Sequence, residues 1–127
     1  MERHDPPGVA GPFAAYSHAV EVRPGRFLFG AGQVGVDPEG SIGDGIEAQA
    51  RFVWRNIQVV LASAGMQIEN IVQLNVFLID RADYAVARRV REEVLGDHRP
   101  ASTLLYVSGL SNPEWRIEID FTAVSET

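Results

Sequence analysis

Glu118 occupies the setting in this chain best suited to chemistry. It lies within Trp115–Val124, where Trp115, Ile117, Ile119, Phe121 and Ala123 alternate with Arg116, Glu118, Asp120 and Thr122. A period of two marks a strand with one apolar and one polar face. Glu118 therefore shares a face with Asp120 while apolar residues flank it along the chain. If that face meets another subunit, the carboxylate is partly desolvated and suits general acid or base work. The plainer reading is a structural carboxylate bonded to neighbouring strands. Arg88, Arg89 and Arg99 are the cations considered for holding a substrate carboxylate, because the planar guanidinium fork matches its two oxygens. Most arginines in such positions are solvated or paired at the surface.

Other chemistries are narrowed by what the chain lacks. His4, His18 and His98 share no metal-ligand spacing, so no metal is expected. Cysteine is absent, which removes disulfides, a thiolate nucleophile and cysteine-based metal sites. All 11 basic residues are arginine; without lysine there is no Schiff base and no lysine-anchored PLP, and no cofactor is expected. No G-x-S-x-G elbow is present. Gly30-Ala31-Gly32-Gln33-Val34-Gly35 has the G-x-G-x-x-G spacing, but the turn Val36-Asp37-Pro38-Glu39-Gly40 follows where a nucleotide fingerprint opens into a helix. It reads better as a strand end where glycine admits a close approach of backbone or ligand. The net charge of −6 and the lack of a basic track argue against nucleic acid as a partner. No apolar run approaches the roughly 20 residues that span a bilayer. The N-terminus has no apolar h-region. A cytoplasmic protein without a membrane partner is expected.

The elements that position these residues follow from pattern. Residues 1–12, rich in Pro and Gly, are expected to be a flexible N-terminal segment, with one domain over 13–127. Tyr16–Val22 reads as a strand, Arg23-Pro24-Gly25-Arg26 as a turn, and Phe27–Ala31 as the returning strand. A helix over Ile46–Ala64 follows from Ile46, Ala50, Val53, Ile57, Val60, Leu61 and Ala64, with Asp44 as N-cap and Gly65 as stop. Asn70–Ile79 reads as a strand. Asp80 then caps a helix over Ala82–Leu95, which Gly96 ends; its inner stripe is Tyr84, Ala87, Val90, Val94 and Leu95. Ser102–Ser108 and Trp115–Val124 close the chain as strands. The order is β-β-α-β-α-β-β, an α/β (α+β) fold with a mixed sheet and two helices on one face. No helix remains for the other face, and such a face is usually covered by another subunit.

The markers Gly11-Pro12 with Tyr16, Phe27-Leu28-Phe29-Gly30-Ala31-Gly32-Gln33, Gln49 with Asn56, Ala64-Gly65-Met66, Ile71-Val72, Val76-Phe77-Leu78, Asp80, Pro100-Ala101 and Ile117-Glu118-Ile119 carry a resemblance. In joint order and spacing they resemble the RidA/YjgF family, also labelled L-PSP, from about Gly11 to Val124. The resemblance implies a chorismate-mutase-like fold and a homotrimer with pockets between subunits. It implies hydrolysis of reactive 2-imino or enamine acids to 2-oxo acids and ammonia, without metal or cofactor. In that chemistry an arginine holds the substrate carboxylate, a glutamate positions water, and a tyrosine lines the pocket.

Carried over position by position, the resemblance makes Glu118 the water-positioning residue, Tyr16 the pocket tyrosine and Gly32 the glycine of close approach. The chain departs from the family at four places. Ser102 stands where the arginine is expected, Ala31 where a serine is, Arg88 where an asparagine is, and Leu104 where a cysteine is. Losing a buried charge partner costs about 2–5 kcal/mol in binding. Two expectations result. Either Arg88 supplies the cation from the opposite wall, or the pocket takes a more neutral ligand. The substrate-binding set is then Tyr16, Ala31, Gly32, Arg88 and Ser102, and the partner a small metabolite. A binding or sensing module without turnover is the alternative; RNA cleavage, suggested by the family's older label, is opposed by the acidic charge.

Overall fold

The computed structural model describes residues 1–127. Six strands and two helices run in the order β1 (Glu2–His4), β2 (Ala19–Glu21), β3 (Arg26–Val34), α1 (Gly45–Ser63), β4 (Ile71–Leu78), α2 (Tyr84–Leu95), β5 (Ala101–Tyr106) and β6 (Ile117–Ser125). The main sheet has four strands in the order β3-β6-β4-β5. β6 is antiparallel to both β3 and β4, whereas β4 and β5 run parallel around the α2 crossover. The sheet is therefore mixed, as the element order requires.

Both helices cover the same face. Val53, Trp54, Ile57 and Leu61 of α1 and Ala87, Val90 and Leu95 of α2 pack on Leu74, Val76, Ile117, Ile119 and Phe121 in one apolar cluster. The alternation expected for β6 is observed: Ile117, Ile119, Phe121 and Ala123 are buried beneath the helices. Glu118, Asp120 and Thr122 point to the other face. Gly65 and Gly96 end the helices with φ of 69° and 57°, a conformation that glycine adopts without steric cost. Asp80 accepts from the Ala82 amide at 2.9 Å and opens a short 3-10 turn before α2. Asp44 stands at the N-cap position of α1, but its side chain makes no capping bond.

The N-terminal third differs from expectation. The first strand is only Ala19–Glu21, and it does not form a hairpin with β3. It pairs instead with β1, at Glu2–His4 within the N-terminal segment. Side chains explain the exchange. Asp5 accepts from the His18 amide at 2.7 Å, His4 meets Glu21 at 2.9 Å, and the Met1 ammonium meets Glu126 at 2.5 Å. Ser17 is held on the free edge of β5 through a parallel bridge to Ala101, its amide donating to Pro100 at 3.1 Å and its hydroxyl to Arg99 at 2.6 Å.

Two polar residues tie α1 to the loops around it. Buried Gln49 donates to the Gly43 and Glu114 carbonyls at 3.1 and 3.0 Å and accepts from the Arg116 amide at 2.8 Å. Asn56 donates to the Val34 and Val36 carbonyls at 3.3 and 3.0 Å. Each buried group left without a partner costs about 1–3 kcal/mol. Gln49→Ala is expected to lower unfolding free energy by about that amount or more in urea titration. Val59→Ala, on the exposed side of the same helix, should stay within about 0.5 kcal/mol of the parent.

Candidate functional site

The residues singled out by sequence fall into two groups on opposite faces of the sheet. Glu118 pairs with Val34 of β3 and Phe77 of β4 on the face that no helix covers. The strand register slips between Gly30 and Gln33, a bulge that spans Ala31 and Gly32. There the Glu118 side chain lies directly on Gly32, and a Cβ on that glycine would overlap the carboxylate. Glu118 makes no side-chain hydrogen bond within the chain. Its neighbour Asp120 does, accepting from Asn75 at 2.8 Å. The same face exposes Phe27, Phe29 and Leu105, with Phe29 77% exposed.

The second group lines a cavity of about 270 Å³ between the free edge of β5, the start of α2 and the segment before β2. Ser102 pairs with core Leu74 and so faces the helices, not Glu118. Tyr16 is carried there by the Ser17 anchor, and its hydroxyl accepts from the Phe13 amide at 3.3 Å. Tyr84 and Leu104 complete the walls, and Phe13, 82% exposed, forms the rim. Strands are spaced by about 4.8 Å, so β6 and β5 lie roughly 10 Å apart with β4 between them. One small ligand cannot touch Glu118 and Ser102 of the same chain.

Arg88 does not line this cavity. Its guanidinium is paired with Glu92 at 2.9 Å on the helix surface, and the hydrogen bond to Glu92 holds it above the ordinary arginine range. Arg89 pairs with Glu47 and Glu93, and Arg99 donates to the Gly96 and His98 carbonyls. The arginine that lines the cavity is Arg91, which sequence reasoning passed over. It is 4% exposed, and burial pushes its guanidinium below the usual arginine range, opposed by Tyr84 and Glu92. The available signal was spacing: Arg91 falls two helical turns after Tyr84, in line with Ala87, where the stripe of α2 should be apolar.

A larger cleft of about 620 Å³ lies between the loop before α1 and Pro113–Arg116. Asp80 and Asp83 are bonded within the chain there, whereas the Asp44 and Glu114 carboxylates make no side-chain bond. Arg116 grips buried Asp83 with both arms, Nε to Oδ2 at 3.0 Å and Nη2 to Oδ1 at 2.7 Å. The cleft is a junction of elements, and the Trp115 Nε1 in its wall is buried without a partner. Glu2, His4 and Glu21 bring three potential metal ligands together at the surface, where His4 and Glu21 bond each other across the β1–β2 pair. His18 and His98 bond to the Ala10 and Ile71 carbonyls.

The endoribonuclease L-PSP family model matches residues 8–125. The chain belongs to the RidA/YjgF family. A RutC family protein of Pyrococcus abyssi is 37% identical over 117 residues, covering 91% of this chain and 90% of the relative. The crystal structure of YyfB, a Rid family protein from Yersinia pestis, superimposes with a TM-score of 0.87 at 30% identity, covering 98% of both chains. TdcF of Escherichia coli, whose name suggests a reactive intermediate deaminase, is 28% identical over 128 residues, or 98% of this chain and 95% of TdcF. Its structure with bound serine superimposes with a TM-score of 0.75 at 25% identity, over 98% of this chain and 99% of that one. The chain has the RidA/YjgF fold, and no helix is long and apolar enough to cross a membrane.

The contact between Gly32 and Glu118 can be tested on its own. Gly32→Ala should keep the fold, at a cost of about 1–3 kcal/mol for overpacking, while forcing the Glu118 carboxylate to a new position. A crystal structure of the variant reads the outcome; an unmoved Glu118 would mean that the bulge backbone yields instead.

Proposed function

We propose that this chain assembles as a homotrimer and hydrolyses small reactive imine or enamine metabolites in pockets built between copies. The observation that carries the reading is the splitting of the site. Glu118 and the Ala31–Gly32 bulge lie on the bare face of the sheet, whereas Tyr16 and Ser102 line a cavity on the other side. Two copies packed through that bare face would bring one group from each into a single pocket. The exposed Phe27, Phe29 and Leu105 supply the apolar surface that such packing buries. The name of TdcF and the serine in its crystal structure support a small amino-acid-derived ligand.

The chemistry asks little of the protein. Water adds through its oxygen to the C=N carbon while Glu118 accepts the water proton. Glu118 relays that proton and then the hydroxyl proton to the nitrogen, so that the C–N bond breaks and ammonia leaves as the carbonyl forms. No group outside imine and water is consumed. A positioned base of this kind contributes about 10²–10⁴-fold, within reach of one carboxylate held by Gly32. An endoribonuclease activity would need a cationic track for phosphates, which a chain of net charge −6 lacks.

An amino-acid oxidase generates 2-imino acids in situ, and semicarbazide traps those that escape hydrolysis. With the wild type present, trapping should fall. Glu118→Gln should lose about 10²–10⁴-fold in rate while leaving the assembly intact. Unchanged trapping with the wild type would replace the hydrolase by a binding module, and full activity in Glu118→Gln would remove Glu118 as the base.

A further inference from the structure

Arginine side chains present two donors along one edge, Nε and one Nη, spaced to match the two oxygens of a carboxylate. The chain displays that match internally, since this edge of Arg116 is filled by Asp83. Arg91 offers the same edge, Nε and Nη2, and no protein group meets it although both atoms are buried. The hydroxyl of Ser102, also buried in the cavity wall, is likewise without a partner. Glu92, adjacent on the helix, is engaged by Arg88. Folded proteins rarely leave such groups unpaired, because an uncompensated buried charge is among the most costly features of an interior. Arg91, Ser102, Tyr16 and Tyr84 therefore form a built site for an anion.

We propose that Arg91 is the anchor of the pocket, binding the carboxylate of a small metabolite side-on through Nε and Nη2 while the Ser102 hydroxyl supplies a third polar contact. This deepens the function proposed above by assigning the substrate's charged end. It moves the cation from β5, where Ser102 now stands, to α2, and so gives the ligand a fixed direction. The carboxylate lies toward the helix, and the reactive end points to the cavity mouth at Phe13, where a second copy would bring Glu118. The volume of about 270 Å³ is below the roughly 300–1,000 Å³ of drug-sized sites. A short 2-oxo or 2-imino acid fits it, with the aromatic walls of Tyr16 and Tyr84 receiving a small apolar side chain.

Titration with 2-oxobutyrate, followed by protein NMR shifts and calorimetry, reads the anchor independently of turnover. Wild type should bind. Arg91→Met should weaken binding by about 30-fold or more, the effect of removing one partner of a buried charge pair. Arg91→Lys should recover part of the loss, having the charge without the fork. Arg89→Met, on the surface, should bind as wild type does. Thermal melting of the ligand-free protein adds a second readout. Arg91→Met should melt at or above the wild-type temperature, because it removes an unpaired buried charge. Affinity within about twofold of wild type in Arg91→Met, a loss that follows Arg88→Met instead, or no binding by wild type would each overturn the proposal. Carboxylate binding that depends on Arg91 without imine hydrolysis would leave the anchor standing and remove only the hydrolase. Hydrolysis with an Arg91-independent KM would do the reverse.

Discussion

Both helices pack on one face of a four-stranded sheet, and this one-sided burial governs the rest of the molecule. It divides every strand into residues committed to the core and residues that face outward. On β6 the division separates Ile117 and Ile119 from Glu118. On β5 it places Ser102 and Leu104 inward, against α2, and Thr103 and Leu105 outward. A one-residue slip would exchange the two sets. The alternation that builds the core therefore also puts the carboxylate and the cavity on opposite sides of one chain.

Local devices then refine each half. On the outer face the bulge at Ala31–Gly32 lowers the backbone beneath Glu118, so the carboxylate is held by shape rather than by hydrogen bonds. On the inner side Ser17 pins the chain to the edge of β5 and carries Tyr16 over Ser102. Arg91 enters the same space from α2 with its Nε and Nη2 free of protein partners. These arrangements oppose stability locally, through a glycine in a strand and a buried unpaired cation, and departures of this kind concentrate at working sites.

The sequence made much of this legible where one rule acts alone. Strand parity placed Glu118 and the core of β6 correctly, and the glycines after α1 and α2 marked where those helices stop. It failed where tertiary contacts chose between local options. Tyr16–Val22 has the composition of a hairpin strand, yet Asp5, His4 and Glu126 draw it into a separate ribbon with β1. Gln49 and Asn56 were visible as markers, but only the folded loops show that they bond the carbonyls around α1. Arg88 drew attention because its type was unexpected; Arg91 escaped it because an arginine within an apolar stripe reads as solvated. Its burial depends on the groove between α2 and β5, which no local pattern encodes.

The central claim is that one chain holds two halves of a site that only a second copy can join. Sedimentation velocity of the purified protein at micromolar concentration tests it directly. The proposed homotrimer predicts a species of three times the 13.9 kDa chain mass, which loses association when Phe29 on the bare face is replaced by glutamate. A wild-type protein that sediments as a single 13.9 kDa chain would leave Glu118 and the Arg91 cavity permanently apart and contradict the account.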